Sequence, residues 1–137
     1  MNKRNLTVII SAIVFAGAAY YYINSSKSDN SGSGNAANIK IPSLTLSQID
    51  GQKLFDEKCS ACHGKAGSGT GQGPPLIHRI YEPNHHGDFS FVSAAKNGAR
   101  AHHWQFGNMP PVEGINDEEI NLIISYVRAI QRENGIQ

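Results

Sequence analysis

Both cysteines of this 137-residue chain fall within five residues, Cys59-Ser60-Ala61-Cys62-His63, and a histidine follows the second directly. Two thiols at this spacing serve a redox dithiol, a structural zinc site, a disulfide or the covalent attachment of a haem c. A dithiol of the thioredoxin kind needs a strand–helix–strand setting, and no such pattern surrounds Cys59. Zinc asks for four ligands, and a histidine adjacent to the second cysteine is poorly aimed to close a tetrahedron. A disulfide suits an exported chain but leaves His63 without a role. Cys-x-x-Cys-His is the attachment signature of haem c. Thiols one helical turn apart reach two vinyl groups on one edge of the macrocycle, and the next residue offers its imidazole to the iron.

An iron so held takes a sixth ligand. The chain has two methionines, Met1 and Met109. Met1 stands at the head of an apolar segment, which leaves Met109, in Phe106-Gly107-Asn108-Met109-Pro110-Pro111. The prolines stiffen the chain after the sulfur, and the polar surroundings are poor company for a gap-filling core methionine. Trp104 and Arg100 precede this loop, and their N–H groups are candidate partners for buried haem propionates. For Trp104 plain core packing is the competing reading. The pairs His85-His86 and His102-His103 admit copper or zinc held by imidazoles. They equally admit solvated loop histidines beside a cofactor, which is the simpler reading, and one of them is an alternative to Met109 on the iron. A second haem is excluded, because there is no second Cys-x-x-Cys-His.

Two helical patterns position these residues. The first runs from about Ser47, a candidate N-cap with Asp50 in the first turn, to Ala61. Gly51, Phe55, Cys59 and Cys62 share one of its faces. A glycine inside a helix costs about 1 kcal/mol against alanine, so Gly51 suggests close approach by another element. The second pattern is capped by Asn116 with Glu119 as its capping-box partner. Its first turn holds Asp117, Glu118 and Glu119, its last part holds Arg128 and Arg132, and Gly135 is its stop. Ile120, Ile123, Ile124, Val127 and Ile130 form its apolar stripe, and Tyr126 lies beside it, sized for the space at Gly51. Gly-rich and polar sequence separates the two patterns, and no alternating run predicts a sheet.

The net charge is +1 and is unevenly spread. Lys3, Arg4, Lys27 and Lys40 face only Asp29 in the first forty residues, and the rest holds eight Lys and Arg against ten Asp and Glu. Such a balance argues against nucleic acid as a partner. Leu6 to Ile23 carries no charge; as a helix it would rise about 27 Å, close to the thickness of a bilayer core. Residues 1–23 therefore read as a membrane anchor, with Lys3 and Arg4 on the cytoplasmic side and Tyr20, Tyr21 and Tyr22 at the outer interface. The alternative is a signal segment cleaved after Ala16-Gly17-Ala18. Residues 24–43 read as a flexible linker rich in Ser, Asn and Gly. Residues 44–137 read as one folded domain, small enough to want a staple, a metal or a large cofactor.

From about Leu46 to its end the chain resembles the class I c-type cytochromes. The likeness rests on Gly51-Gln52-Lys53-Leu54-Phe55, the cysteine stretch with Gly64, Gly73-Pro74-Pro75-Leu76, Asn108-Met109-Pro110-Pro111 and the last helix with Tyr126. It implies an all-α fold whose terminal helices cross at Gly51, Phe55 and Tyr126 around one haem c, bound covalently through Cys59 and Cys62. It implies axial ligation by His63 and Met109, a backbone carbonyl near Pro74 accepting the free N–H of His63, and Leu76 against the haem. The histidine-rich middle departs from the pattern. The expectation is a one-electron carrier, not an enzyme, which serves redox partner proteins at the outer, periplasmic or extracellular, face of the cytoplasmic membrane. The alternatives are a haem subunit of a larger oxidase or dehydrogenase, or a haem sensor of small molecules.

Overall fold

Thr45, rather than Ser47, starts the first helix. In the computed structural model, which describes residues 38–137, helix α1 spans Leu46–Lys58. The Thr45 side chain accepts the Gln48 N–H, and the Gln48 side chain accepts the Thr45 N–H at 2.9 Å. Thr-x-x-Gln closes a reciprocal capping box, which Ser47 with Asp50 at N3 does not. The expected helix also divides. After a break at Cys59 a short second helix, α2, spans Ser60–His63. Ser60 Oγ donates to the Asp56 carbonyl one turn back at 2.6 Å, a contact that bends helices. The expected anchor and the first fourteen residues of the linker lie outside the described residues. Among the described residues no helix is long and apolar enough to cross a membrane. The folded part begins by Ile39 instead of residue 44: Ile39 and Leu44 pack against the core. Lys40 N–H donates to Asn134 Oδ1 at 3.0 Å, and Asn134 Nδ2 donates back to the Lys40 carbonyl at 2.8 Å.

The last helix forms as its caps and stripe predict. It spans Asp117–Glu133 with the Asn116–Glu119 capping box. We number it α4, because a further helix precedes it. At its end Gly135 takes φ +77°. The Ile136 N–H reaches the Gln131 carbonyl at 2.9 Å and the Gly135 N–H reaches that of Arg132 at 3.1 Å, the paired bonds of a Schellman stop. Helix α4 crosses α1 so closely that a Cβ on Gly51 would fall onto the Leu122 carbonyl and lie 3.1 Å from Tyr126 Cβ. Phe55 and Tyr126, 0% and 1% exposed, meet beside this point with ring centroids 5.6 Å apart. Ile123, Val127 and Ile130 continue the core. Among the described residues no strand forms; Ala99 and Met109 make an isolated antiparallel bridge.

Helix α3, Asp88–Asn97, has no counterpart in the sequence reading. Its N-cap Gly87 offers no side-chain acceptor and none of its residues is fully buried, so neither cap nor apolar stripe marks it. It is placed by tertiary contacts, chiefly through Arg128. This arginine lies in the last part of α4, as the macrodipole favours, and is only 7% exposed. Its guanidinium donates to Asp88 Oδ1 at 2.8 Å and, at 2.6 Å each, to the Tyr81 carbonyl, the His86 carbonyl and Gln131 Oε1. It also lies 4.8 Å from the Phe91 ring centroid. Gln131 Nε2 extends the network to the Leu76 carbonyl at 2.8 Å.

Two stability predictions follow from these contacts. Gly51→Ala puts a methyl group against backbone that cannot move without separating the helices, and should cost about 2–3 kcal/mol in denaturant unfolding. An unchanged midpoint would show that the helices slide apart freely. Arg128→Ala should cost about 3 kcal/mol, because it strands buried acceptors. Arg128→Lys should recover less than half of that, since one ammonium lacks the planar fork that meets four acceptors; full recovery by lysine would reduce the role of Arg128 to its charge.

Candidate haem site

Helices α1, α3 and α4 and the two long loops enclose a cleft of about 510 Å³, within the range of small-molecule and cofactor sites. Phe55, Leu76, Phe91, Ile120, Ile123 and Ile124 make its surface predominantly apolar. Cys59, His63, Pro74, Trp104 and Met109 border the same cleft. Cys62 is the sequence-predicted site residue outside that lining; it is exposed, one helical turn from Cys59.

His63 is held by α2 and by the loop that follows. Its Nδ1 lies 2.9 Å from the Pro74 carbonyl. A carbonyl only accepts, so Nδ1 carries the proton and Nε2 keeps a bare lone pair. Burial pushes the His63 pKa below its ordinary value, partly opposed by the Pro74 bond, so the neutral, metal-binding form is favoured. Both cysteines are free thiols. Burial, with the nearby Cys62 adding and Lys58 opposing, pushes the Cys59 thiol up to about 11. A reactive dithiol wants the opposite shift, so the environment of Cys59 argues against that reading.

Met109 is half-buried and fixed at its backbone. Its N–H donates to the Ala99 carbonyl at 2.9 Å, and the Ala99 N–H donates to its carbonyl at 3.0 Å. Gly98, at φ +76°, allows this contact: a Cβ there would lie 2.5 Å from the Met109 carbonyl oxygen. Asn108 Oδ1 closes the loop by accepting the Ala101 N–H at 3.0 Å, and the Val112 N–H is bound to the Ala95 carbonyl at 2.8 Å. The methionine loop is thus pinned to the C-terminal end of α3. Gly98, Ala99 and Asn108 escape a reading of the sequence because their roles depend on a helix with no sequence signal. The Pro-Pro step after Met109 is the visible part of the device.

The residues present fit a haem. The cleft is apolar, flanked by two free thiols, and offers an imidazole nitrogen and a thioether. It also holds an unpartnered donor: among the described residues Trp104 Nε1 is buried without a hydrogen-bond partner. The indole comes close enough to the Tyr81 hydroxyl to oppose the burial-driven rise of that tyrosine's pKa, yet does not reach hydrogen-bond geometry. A buried N–H left open costs about 1–3 kcal/mol, a penalty that an anionic group entering the cleft would remove. Trp104 also packs edge-on against His78, 5.1 Å between centroids, so packing and donor roles coexist. Arg100 borders the cleft as an exposed side chain.

No curated protein and no solved structure matches the chain. A family model does: that of cytochrome c, over residues 48–131. A match that runs over more than half of the chain, from the first turn of α1 to the buried end of α4, accounts for the helix crossing and the cleft together, and the chain belongs to the cytochrome c family.

Proposed function

We propose that this protein is a one-electron carrier that holds a single haem c in the cleft. A haem bound there supplies a reversible Fe(III)/Fe(II) couple. Cys59 and Cys62 would hold it through thioether bonds, and His63 Nε2 and the Met109 thioether would be its iron donors. Pro74 orients the imidazole through its carbonyl, the outer contact that a ligating histidine requires. Leu76 and the α4 isoleucines exclude water, and Trp104 donates to a propionate. The observation that carries this reading is the His63–Pro74 bond, which leaves Nε2 bare on an imidazole that borders the same cleft as Met109.

With His63 and Met109 both donating, a haem iron would have no position left for a substrate, which favours electron transfer over bond-making chemistry. Imidazole with thioether raises the reduction potential relative to harder donor sets. The cleft mouth carries exposed Phe89 and Phe106 and the domain has little net charge, so redox partner proteins meet it through apolar contact rather than strong electrostatic steering.

Met109→Ala tests the axial assignment. It should remove the weak sulfur-to-iron charge-transfer band of the ferric protein. It should also lower the potential on the order of 0.1 V, within the span of about 0.8 V that axial ligands command. A wild type without that band, or a variant with an unchanged potential, would reject Met109. In either case haem that resists extraction into acidified organic solvent reports the cysteine bonds separately.

We also propose that residues 1–23 stay on the mature protein as a single membrane anchor, with the haem domain on the outer side. The uncharged run from Leu6 to Ile23 behind Lys3 and Arg4 supports this. Intact mass of protein purified from native membranes should equal the full chain plus one haem. A mature start just after Ala18 would identify a cleaved signal and a soluble carrier.

A further inference from the structure

Four histidines outside the proposed iron ligands meet in one cluster, and three of them, His86, His102 and His103, line the cleft. His85 and His86 precede α3, and His102 and His103 lie in the loop that the Ala99–Met109 bridge closes. The chain between them doubles back so that the pairs face each other. His85 Nε2 lies 3.2 Å from His103 Nε2, and His86 Nε2 lies 3.4 Å from His102 Nε2. One ligand atom from each of His85, His86 and His103 falls within 4.8 Å of the others.

The outer nitrogens decide what these contacts mean. His86 Nδ1 is 2.6 Å from the Ile80 carbonyl, and His102 Nδ1 is 2.7 Å from the Arg100 carbonyl. Each Nδ1 therefore carries a proton, and in the neutral rings both Nε2 atoms are bare acceptors. Two acceptors at 3.4 Å repel unless something electron-poor lies between them. A proton would serve one pair at the cost of a positive ring among three others. A metal cation satisfies all the lone pairs at once, and imidazoles oriented by Nδ1–H bonds to carbonyls are the usual donors to one.

Spacing selects the metal. In a tetrahedral zinc site with Zn–N near 2.0–2.1 Å, neighbouring nitrogens are about 3.3 Å apart. Square-planar copper would set adjacent nitrogens at about 2.8 Å. The observed 3.2 and 3.4 Å lie close to the tetrahedral edge, and the His85, His86 and His103 group, spread over 4.8 Å, would draw in with His102 to close on the ion. We propose that His85, His86, His102 and His103 form a zinc site, separate from the iron. Zinc there joins the two ends of the segment that carries α3 and the Gly98 turn, and so braces the loop that presents Met109. The site depends on the four imidazoles alone and stands or falls apart from the haem assignment.

The test uses untagged, haem-loaded full-length protein, dialysed against a chelator and titrated with zinc sulfate by calorimetry. One zinc should bind per chain. His86→Gln with His102→Gln should weaken it about a hundredfold or more, while an unchanged haem absorption spectrum reports that the fold is kept. Zinc K-edge absorption on the wild type does not depend on any variant folding, and should show a shell of four nitrogens near 2.0 Å with imidazole scattering. Absence of stoichiometric binding, binding that the double variant leaves intact, or a zinc shell without imidazole would each overturn the proposal.

Discussion

The approach of α4 to Gly51 sets the geometry on which the cleft depends. A domain of about a hundred residues buries too little side-chain surface to hold an open cleft by core packing alone. Backbone against backbone substitutes for bulk at the crossing. With no Cβ at Gly51, the Leu122 carbonyl comes into direct contact, and Phe55 and Tyr126 fill the flanks. The contact fixes α4 against α1 at one point. It thereby decides that Ile120, Ile123 and Ile124 border the same space as Cys59 and His63.

Polar closure then organises what the helices do not. Residues 73–87 have little regular structure, and the carbonyls of Leu76, Tyr81 and His86 turn inward. Arg128 and Gln131, both buried on α4, receive them. A charge so deep is tolerated because its donors meet Asp88 and these carbonyls together. The groups left open stand out against this background. Trp104 Nε1 belongs to a domain that otherwise satisfies its buried side-chain donors and acceptors among the described residues, and Trp104 and His63 both border the cleft. The facing Nε2 atoms of the histidine cluster are a second departure at the same wall.

Local chemistry made several features legible in the sequence. Asn116 with Glu119, and Gly135 beyond the last apolar residue, mark α4 because caps and stops involve neighbours a few residues apart. Gly51 is conspicuous for its cost inside a helix, and Tyr126 for its size at the matching place. Even here local rules competed: Ser47 looked a sufficient cap, but Thr45 with Gln48 satisfies two donors where Ser47 satisfies one. The linker seemed to reach residue 43, because nothing near Ile39 or Lys40 in sequence announces Asn134, ninety-four residues away.

Residue types and spacing by themselves determined the candidate chemistry: Cys59, Cys62 and His63 within about one turn, and Met109 as the methionine outside the apolar N-terminal run. Tertiary structure alone decided how those side chains are held. Helix α3 has no cap or buried stripe of its own and takes its place from Arg128 on α4. The Gly98 turn that pins Met109 exists only because α3 ends there. The two histidine pairs are separated by fifteen residues, and chain reversal, not pattern, brings their nitrogens within 3.4 Å. Contacts within a helical turn are dictated by covalent geometry and can be read from spacing. Contacts across the domain depend on where distant segments close, and here that closure is set by one glycine crossing and one buried arginine.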